Sequence, residues 1–487
     1  MLYKRILPAL LVLTLTVYLI ARYKGPEPGV ITTIDKSNLE EFWRIRDVNV
    51  ADGQFLLSKC NASITSRFRL RDFEINFKLK TTEGAAGMVN FATSKGYDPK
   101  NLRGYSVLIN NSDYSTGNIQ KTGSLSKIRN NFVRTAEENE WFDLHVSVEG
   151  NHIEVEVNGK LISEYTEPQN PKRLENLTGI VLSRSFISLR KANDLGEIVV
   201  ADMKIKPIID KKSRVILPVK ADSLTDVIDS LNQREFPLID FHVHLKGGLT
   251  MNQACQHARS NGFVYGVAAN CGLKFPVTND STLNSYLKSI AKEPVFKAMQ
   301  CEGREWVTLF TPQEVAGFDY IFTDAMTWTD HKGRRMRLWM PAETFVDSDQ
   351  QFMEMLVGKI AAIMDAEPVD IYVNPTFLPE KLAPRYDELW TPDRMDKVVN
   401  VLLRNQVALE INARYKIPSL AFIKKAKAAG VKFTFGTNNA KNDDLNRLEY
   451  CLKVIKEAGL TTEDIFLPRS RTERKILKKG LPAQVTG

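Results

Sequence analysis

From about residue 32 to 208, apolar and polar residues alternate with a period of two, the signature of strands that bury one face. The clearest instance is Leu144, Val146 and Val148, a turn at Gly150-Asn151, then Ile153, Val155 and Val157, and a second turn at Asn158-Gly159 before Leu161. Asn-Gly suits a type I′ hairpin because both residues tolerate positive φ. Further strands are expected over 73–79, 105–109, 179–183 and 197–205, and together they predict an antiparallel β-sandwich. From 237 onward the rhythm changes. Short apolar runs at 238–243, 264–269, 295–299, 320–322, 371–373, 407–411 and 432–435 are separated by amphipathic stretches such as 350–366, 393–404, 419–429 and 445–458. Strands that alternate with helices predict a parallel sheet, and seven such units in order predict a β/α barrel. A polar connector, 209–235, with a short helix at 224–231, joins the two halves.

The N-terminus adds a third element. Lys4-Arg5, an uncharged run over 6–21, then Arg22 and Lys24 form an export signal, too short for a comfortable bilayer span and better suited to a signal peptide or a short signal anchor. Residues 1–24 are therefore expected to tether an exported chain, periplasmic or on the cell surface, to the membrane. Hydrophobic residues at 43% and charged residues at 25% exclude wholesale disorder and a multi-span membrane protein. The net charge of +8 is partly local. Arg469, Arg471, Arg474, Lys475, Lys478 and Lys479 crowd the tail, 469–487, which reads as a solvated helix end or a loose basic tail. No reader motif accompanies the charge, so no nucleic-acid partner is expected. The five cysteines lack metal-type spacing and are an odd number, which argues for small buried hydrophobes over a disulfide framework.

In parallel barrels chemistry collects at the C-terminal ends of the strands. There the first run ends in Asp240-Phe241-His242-Val243-His244, and residues two apart point to one side, so His242 and His244 are candidate metal ligands. Glu305, in Gly303-Arg304-Glu305 after the third run, is the candidate carboxylate partner. Asp324 follows the fourth run as a candidate ligand or general base, and His331 as a candidate proton donor. Asn374, Glu410 with Asn412, and Asn438-Asn439 close runs five to seven as candidate pocket lining. Each has a plainer alternative: packed histidines, a loop glutamate, a capping aspartate, a surface histidine.

These motifs carry a resemblance. Residues 236–468 resemble the PHP (polymerase and histidinol phosphatase) superfamily through Phe241-His242-Val243-His244, Gly303-Arg304-Glu305, Ala408-Leu409-Glu410-Ile411-Asn412 and Phe435-Gly436-Thr437-Asn438-Asn439-Ala440. The resemblance implies a distorted (β/α)7 barrel with a metal-dependent hydrolase site, His242, His244 and Glu305 as ligands, and Asp324, His331 and Glu410 as catalytic candidates. Asn374 and Asn438-Asn439-Ala440 stand where that family usually has histidine and Asp-Ala-His, so one divalent ion, or two, of Zn, Mn or Fe type is implied. Residues 31–208 resemble the 3-keto-disaccharide hydrolase domain, a concanavalin-like jelly-roll sandwich, through Gly104-Tyr105-Ser106-Val107-Leu108-Ile109-Asn110-Asn111, Glu140-Trp141-Phe142-Asp143 and Val157-Asn158-Gly159-Lys160. That implies a carbohydrate ligand met by Asn90, Tyr105, Asn110, Asn111 and Trp141, with sandwich core as the alternative for Tyr105 and Trp141. Three functions follow as expectations. They are an exported metallohydrolase of a glycan-derived or phosphorylated substrate, a glycan-binding protein with a silent barrel, and a sandwich that cleaves 3-keto-glycosides.

Overall fold

The computed structural model describes residues 32–33, 39–93, 103–114, 117–208, 223–445 and 447–482. The expected anchor, 1–24, and most of the connector lie outside these. Among the described residues no helix is long and apolar enough to cross a membrane. The chain divides into two compact units, Met1–Ser112 with Gln120–Asp222, and Asp113–Ile119 with Ser223–Gly487.

The first unit is an antiparallel sandwich of an eight-stranded and a five-stranded sheet. Strand Phe73–Thr81 shows why it forms: Phe73, Ile75, Phe77, Leu79 and Thr81 are buried while the residues between them are not. It pairs with Trp141–Glu149, which turns through Gly150 (φ 62°) into His152–Val157 and through Asn158 (φ 51°) and Gly159 (φ 71°) into Lys160–Thr166. The inward side chains of these strands form one apolar core, each Val, Leu, Ile or Phe worth about 1.5–3 kcal/mol when fully buried. The strand expected over 179–183 does not form. Side chains have taken its ladder groups: the Leu182 N–H donates to the Glu167 carboxylate and Arg173 donates to the Ile180 carbonyl. The strand lies further on, at Phe186–Lys191.

The second unit holds a closed barrel of seven parallel strands: Ile239–Val243, Val264–Cys271, Phe296–Cys301, Tyr320–Thr323, Ile371–Tyr372, Ala408–Asn412 and Phe433–Gly436. They are paired in chain order, and Asp240 opposite Phe435 closes the ring. Strands buried on both faces explain the unbroken apolar runs. The barrel has an aromatic floor in which Phe241 packs on Tyr320, Phe296 and Phe466. Only glycine leaves room for this arrangement at 266, where a Cβ would meet the Tyr320 hydroxyl at 1.8 Å. A hairpin absent from the expected elements, Thr327–Thr329 with Arg335–Arg337, rises from the connection after the fourth strand.

Among the described residues of the basic tail, Arg471, Lys478 and Lys479 are exposed, but the segment is docked through two others. Arg474 and Lys475 are buried at the start of helix Lys475–Lys479, and the Lys475 ammonium donates to the carbonyls of Val369 and Gln406, both at 2.8 Å. Those carbonyls lie just before the fifth and sixth strands, at the base of the barrel, and Arg474 reaches Asp319 below the fourth at 3.6 Å. Desolvation pushes the Lys475 ammonium down to about 8.

Candidate functional site

The first strand breaks register between Asp240 and Val243. Asp240 fixes the break: its carboxylate accepts from the His242 N–H and from the Thr437 N–H and hydroxyl. The irregularity lets two consecutive residues meet the same inner wall, Phe241 against Tyr320 and His242 against Phe322. His244 follows at the strand end, with its ring centroid 5.1 Å from that of His242.

Both imidazoles are fully buried and oriented by the same logic. The His242 Nδ1 lies 2.6 Å from the Glu410 carboxylate and the His244 Nδ1 lies 3.1 Å from the Ala268 carbonyl. A carbonyl or carboxylate only accepts, so each Nδ1 carries a proton and each Nε2 is the nitrogen left for another partner. Both Nε2 atoms are buried without a hydrogen-bond partner. Leaving a buried polar atom unsatisfied costs about 1–3 kcal/mol, so two such atoms side by side need a reason. Burial, then the neighbouring His242 and Lys246, hold His244 well below the usual histidine range, which keeps it neutral and able to ligate. Gln300 sits beside its ring without completing a hydrogen bond to Nε2.

Of the carboxylates near this pair, Asp324 is one the sequence pointed to, and Glu305 is not among them. Glu305 starts a short 3-10 turn, Glu305–Thr308, and is ion-paired with Arg335 of the unexpected hairpin. That pairing holds its carboxyl below the ordinary value. Glu302, the residue directly after the third strand, points at the site instead: its carboxylate accepts from Asn270 at 2.6 Å. Burial first, then the Asp324 carboxylate, push it up to about 7, while His242 and Lys246 pull the other way. Asp324 is buried and also raised, chiefly by desolvation, with one oxygen held by the Met326 N–H. Electrostatic coupling between Glu302 and Asp324 means that both do not carry full charge when the site holds no cation.

A ring of amides completes the rim. The Asn374 N–H donates to Glu410 at 2.6 Å, and its Oδ1 accepts from Asn412 (3.0 Å) and Asn438 (2.8 Å). Its own Nδ2 points at Asp324 from 3.5 Å. His331 is not part of this group. It is exposed at the hairpin turn and lines a shallow hollow with Gln350, Gln351, Glu354 and Met355. Thus His242, His244, Asp324, Asn374, Glu410 and Asn438 form one connected cluster, Glu305 and His331 lie outside it, and Glu302 is the member the motifs missed.

No three donor side chains at the rim bring their ligand atoms within 4.8 Å of one another; among the described residues that closeness belongs to His152, Glu154 and Glu164 on the sandwich hairpin. There, however, His152 is spent on Thr166 and the two glutamates.

In the sandwich, the expected sugar contacts are mostly structural. Tyr105 is buried, and its hydroxyl donates to Glu167. Asn110 and Asn111 are buried braces: Asn110 donates to the Gln120 carbonyl at 2.6 Å, and Asn111 donates to Thr81 at 3.0 Å. Trp141 is 38% exposed and carries Lys80 over its ring, but it belongs to the eight-stranded sheet, whereas Tyr105 and Asn110 belong to the other. These residues therefore do not line one concave face.

Residues 29–206 match the family described as the 3-keto-alpha-glucoside-1,2-lyase-like domain. Two Parabacteroides distasonis structures provisionally assigned as glycosyl hydrolases are similar: one at 20% identity and TM-score 0.31, covering 37% of this chain and 100% of that one. The other stands at 13% and 0.29, covering 34% and 89%. A carbohydrate-binding module from Bacillus subtilis is similar at 17% and 0.23, covering 38% and 96%. No curated protein matches the chain.

Proposed function

We propose that the barrel is a metal-dependent hydrolase domain of PHP type, carried on an exported, membrane-tethered chain, that acts on a glycan-derived or phosphorylated substrate. The observation that carries this reading is the pair of buried, unpartnered Nε2 atoms at the C-terminal rim of a closed barrel, facing two carboxylates. Two buried imidazoles, each with its Nδ1 backed by a carboxylate or a carbonyl and its Nε2 unpartnered, together with Glu302 and Asp324, are the donor types a divalent ion of the Zn, Mn or Fe type takes. Such a cation would supply Lewis acidity toward a phosphoryl or carbonyl oxygen. His242 and His244 would hold it with Glu302 and Asp324, and the aromatic floor of Phe241 and Tyr320 closes the barrel below.

The test is the metal content and hydrolase activity of the purified chain against phosphomonoesters and oligosaccharides, beside the His242→Ala/His244→Ala double variant. Stoichiometric metal and activity in the native form, both lost in the variant, support the proposal; activity that survives in a metal-free double variant overturns it.

A second reading is favoured by the family match over 29–206: the sandwich engages a carbohydrate, or cleaves 3-keto-glycosides itself, and the barrel is a scaffold. It predicts turnover or sugar binding that the double variant leaves unchanged.

A further inference from the structure

Resting on the metal-site reading above, we infer that the rim is built for a single divalent cation, and that Glu410 is a positioning residue acting through His242 and not a catalytic one. Both oxygens of Glu410 are committed. Oε1 takes the His242 Nδ1 proton at 2.6 Å, and Oε2 takes the Asn374 N–H at 2.6 Å and the Asn412 amide at 2.9 Å. Three donors take three of the roughly four lone-pair sites of this buried carboxylate and leave it little capacity for a cation. What they do leave is one tautomer of His242, with Nε2 as its ligating atom. The sequence reserves the space for this contact: a Cβ at Gly436 would stand 2.1 Å from the Glu410 Oε1 and 2.8 Å from the His242 Cβ.

The same side of the rim has no ligand for a second ion. Asn374 and Asn438 are held at φ 45° and 46°, backbone positions that asparagine tolerates better than most residues, and their side chains turn onto each other. The Asn374 Oδ1 is filled by two donors, and its Nδ2 presents hydrogens toward Asp324, so that wall repels a cation. A neutral amide is a poor ligand in any case beside imidazole or carboxylate. What remains is His242, His244, Glu302 and Asp324: no three of them lie within 4.8 Å of one another, so they would have to draw together around an ion, and four donors are the number one ion needs and too few for two.

The experiment is elemental analysis and Co2+ titration of the full-length chain, with the visible spectrum of bound Co2+ as the readout. One equivalent of Co2+ in the native chain is expected, and two or more tightly bound equivalents would overturn the inference. Glu410→Gln is expected to bind Co2+ about 10–100-fold more weakly and with an altered spectrum, while its far-UV circular dichroism is retained. If Glu410→Gln does not fold, Glu410→Asp takes its place, with the carboxylate drawn back by one methylene and the same direction expected. Unchanged affinity and spectrum in the folded variant would remove this inference alone. A native chain that binds no Co2+ would remove the metal-site reading as well.

Discussion

Two regions of this protein bury polar side chains to the same depth, and they differ in one respect. Inside the sandwich, Asn131 donates to the carbonyls of Thr122 and Val133 and accepts from the Val133 N–H, so each polar atom of its amide is used. Asn110 and Asn111 brace the same segment. At the barrel rim, His242 and His244 use one nitrogen each and leave the other buried without a partner. Burial of polar groups is therefore no marker of function, and neither is one unpartnered atom, since Trp43 Nε1 and His145 Nε2 of the sandwich are buried without a partner too. The marker is two such atoms side by side.

That contrast can be broken in several ways. The largest effect is expected from Glu302→Ala, which removes a carboxylate that interacts electrostatically with Asp324 and His242; metal affinity, read by titration, should fall by at least about 100-fold, more than loss of an outer-shell group costs. Glu305→Ala should shift it less than about twofold, because Arg335 already holds that side chain. Equal losses in the two variants would mean that the hairpin ion pair opens to let Glu305 in. Next comes Gly436→Ala, whose methyl group has no room beside Glu410; about 3 kcal/mol of barrel stability should go, together with metal affinity, in denaturant unfolding and titration. Asn131→Ala should cost the sandwich about 2 kcal/mol and leave the metal content untouched. Loss of metal in that variant would erase the distinction between the two regions.

Lys475 sharpens the comparison from the base of the barrel. Its ammonium loses its proton at about 8 in the folded chain but at the ordinary 10.5 once unfolded. Between those values the unfolded chain binds more protons, so stability rises with pH across that window and the cost of burying the charge is fully present below 8. Relative to Lys475→Met, the native barrel should gain about 3 kcal/mol between pH 8 and 10.5, measured by urea unfolding at both ends. A difference that stays flat with pH would show that the ammonium is hydrated. The smallest effect belongs to Arg335→Ala, within about 0.5 kcal/mol of native stability, since its side chain is 55% exposed.

The barrel was legible in the sequence because strands buried on both faces leave continuous apolar runs, and all seven runs coincide with barrel strands to within two residues. The His242–His244 pair was legible because a period of two survives at a strand end. Glu302 was not. Which residue faces the mouth depends on where the third strand stops against its neighbour, Cys301 opposite Thr323, and that register is a property of two strands together. Glu305 lost its expected place to an arginine 30 positions away on a hairpin too short to announce itself. Arg474 and Lys475 depart from the solvated reading of the tail for a related reason: a run of bases says nothing of carbonyls elsewhere that need donors, and Lys475 is buried because Val369 and Gln406 supply two of them. The sandwich amides look like sugar ligands in a sequence, since the backbone groups they satisfy come from a loop whose path the sequence does not reveal.

The docked tail also sets an order of events. A chain is made from its N-terminus, so the fifth and sixth strands exist well before the segment that covers the carbonyls beneath them. Until the segment that carries Lys475 emerges, the carbonyls of Val369 and Gln406 lack the ammonium that donates to both. Helix Lys475–Lys479 is the keystone of the domain, and a fragment cut short of Lys475 should refold slowly and be an early target for proteases.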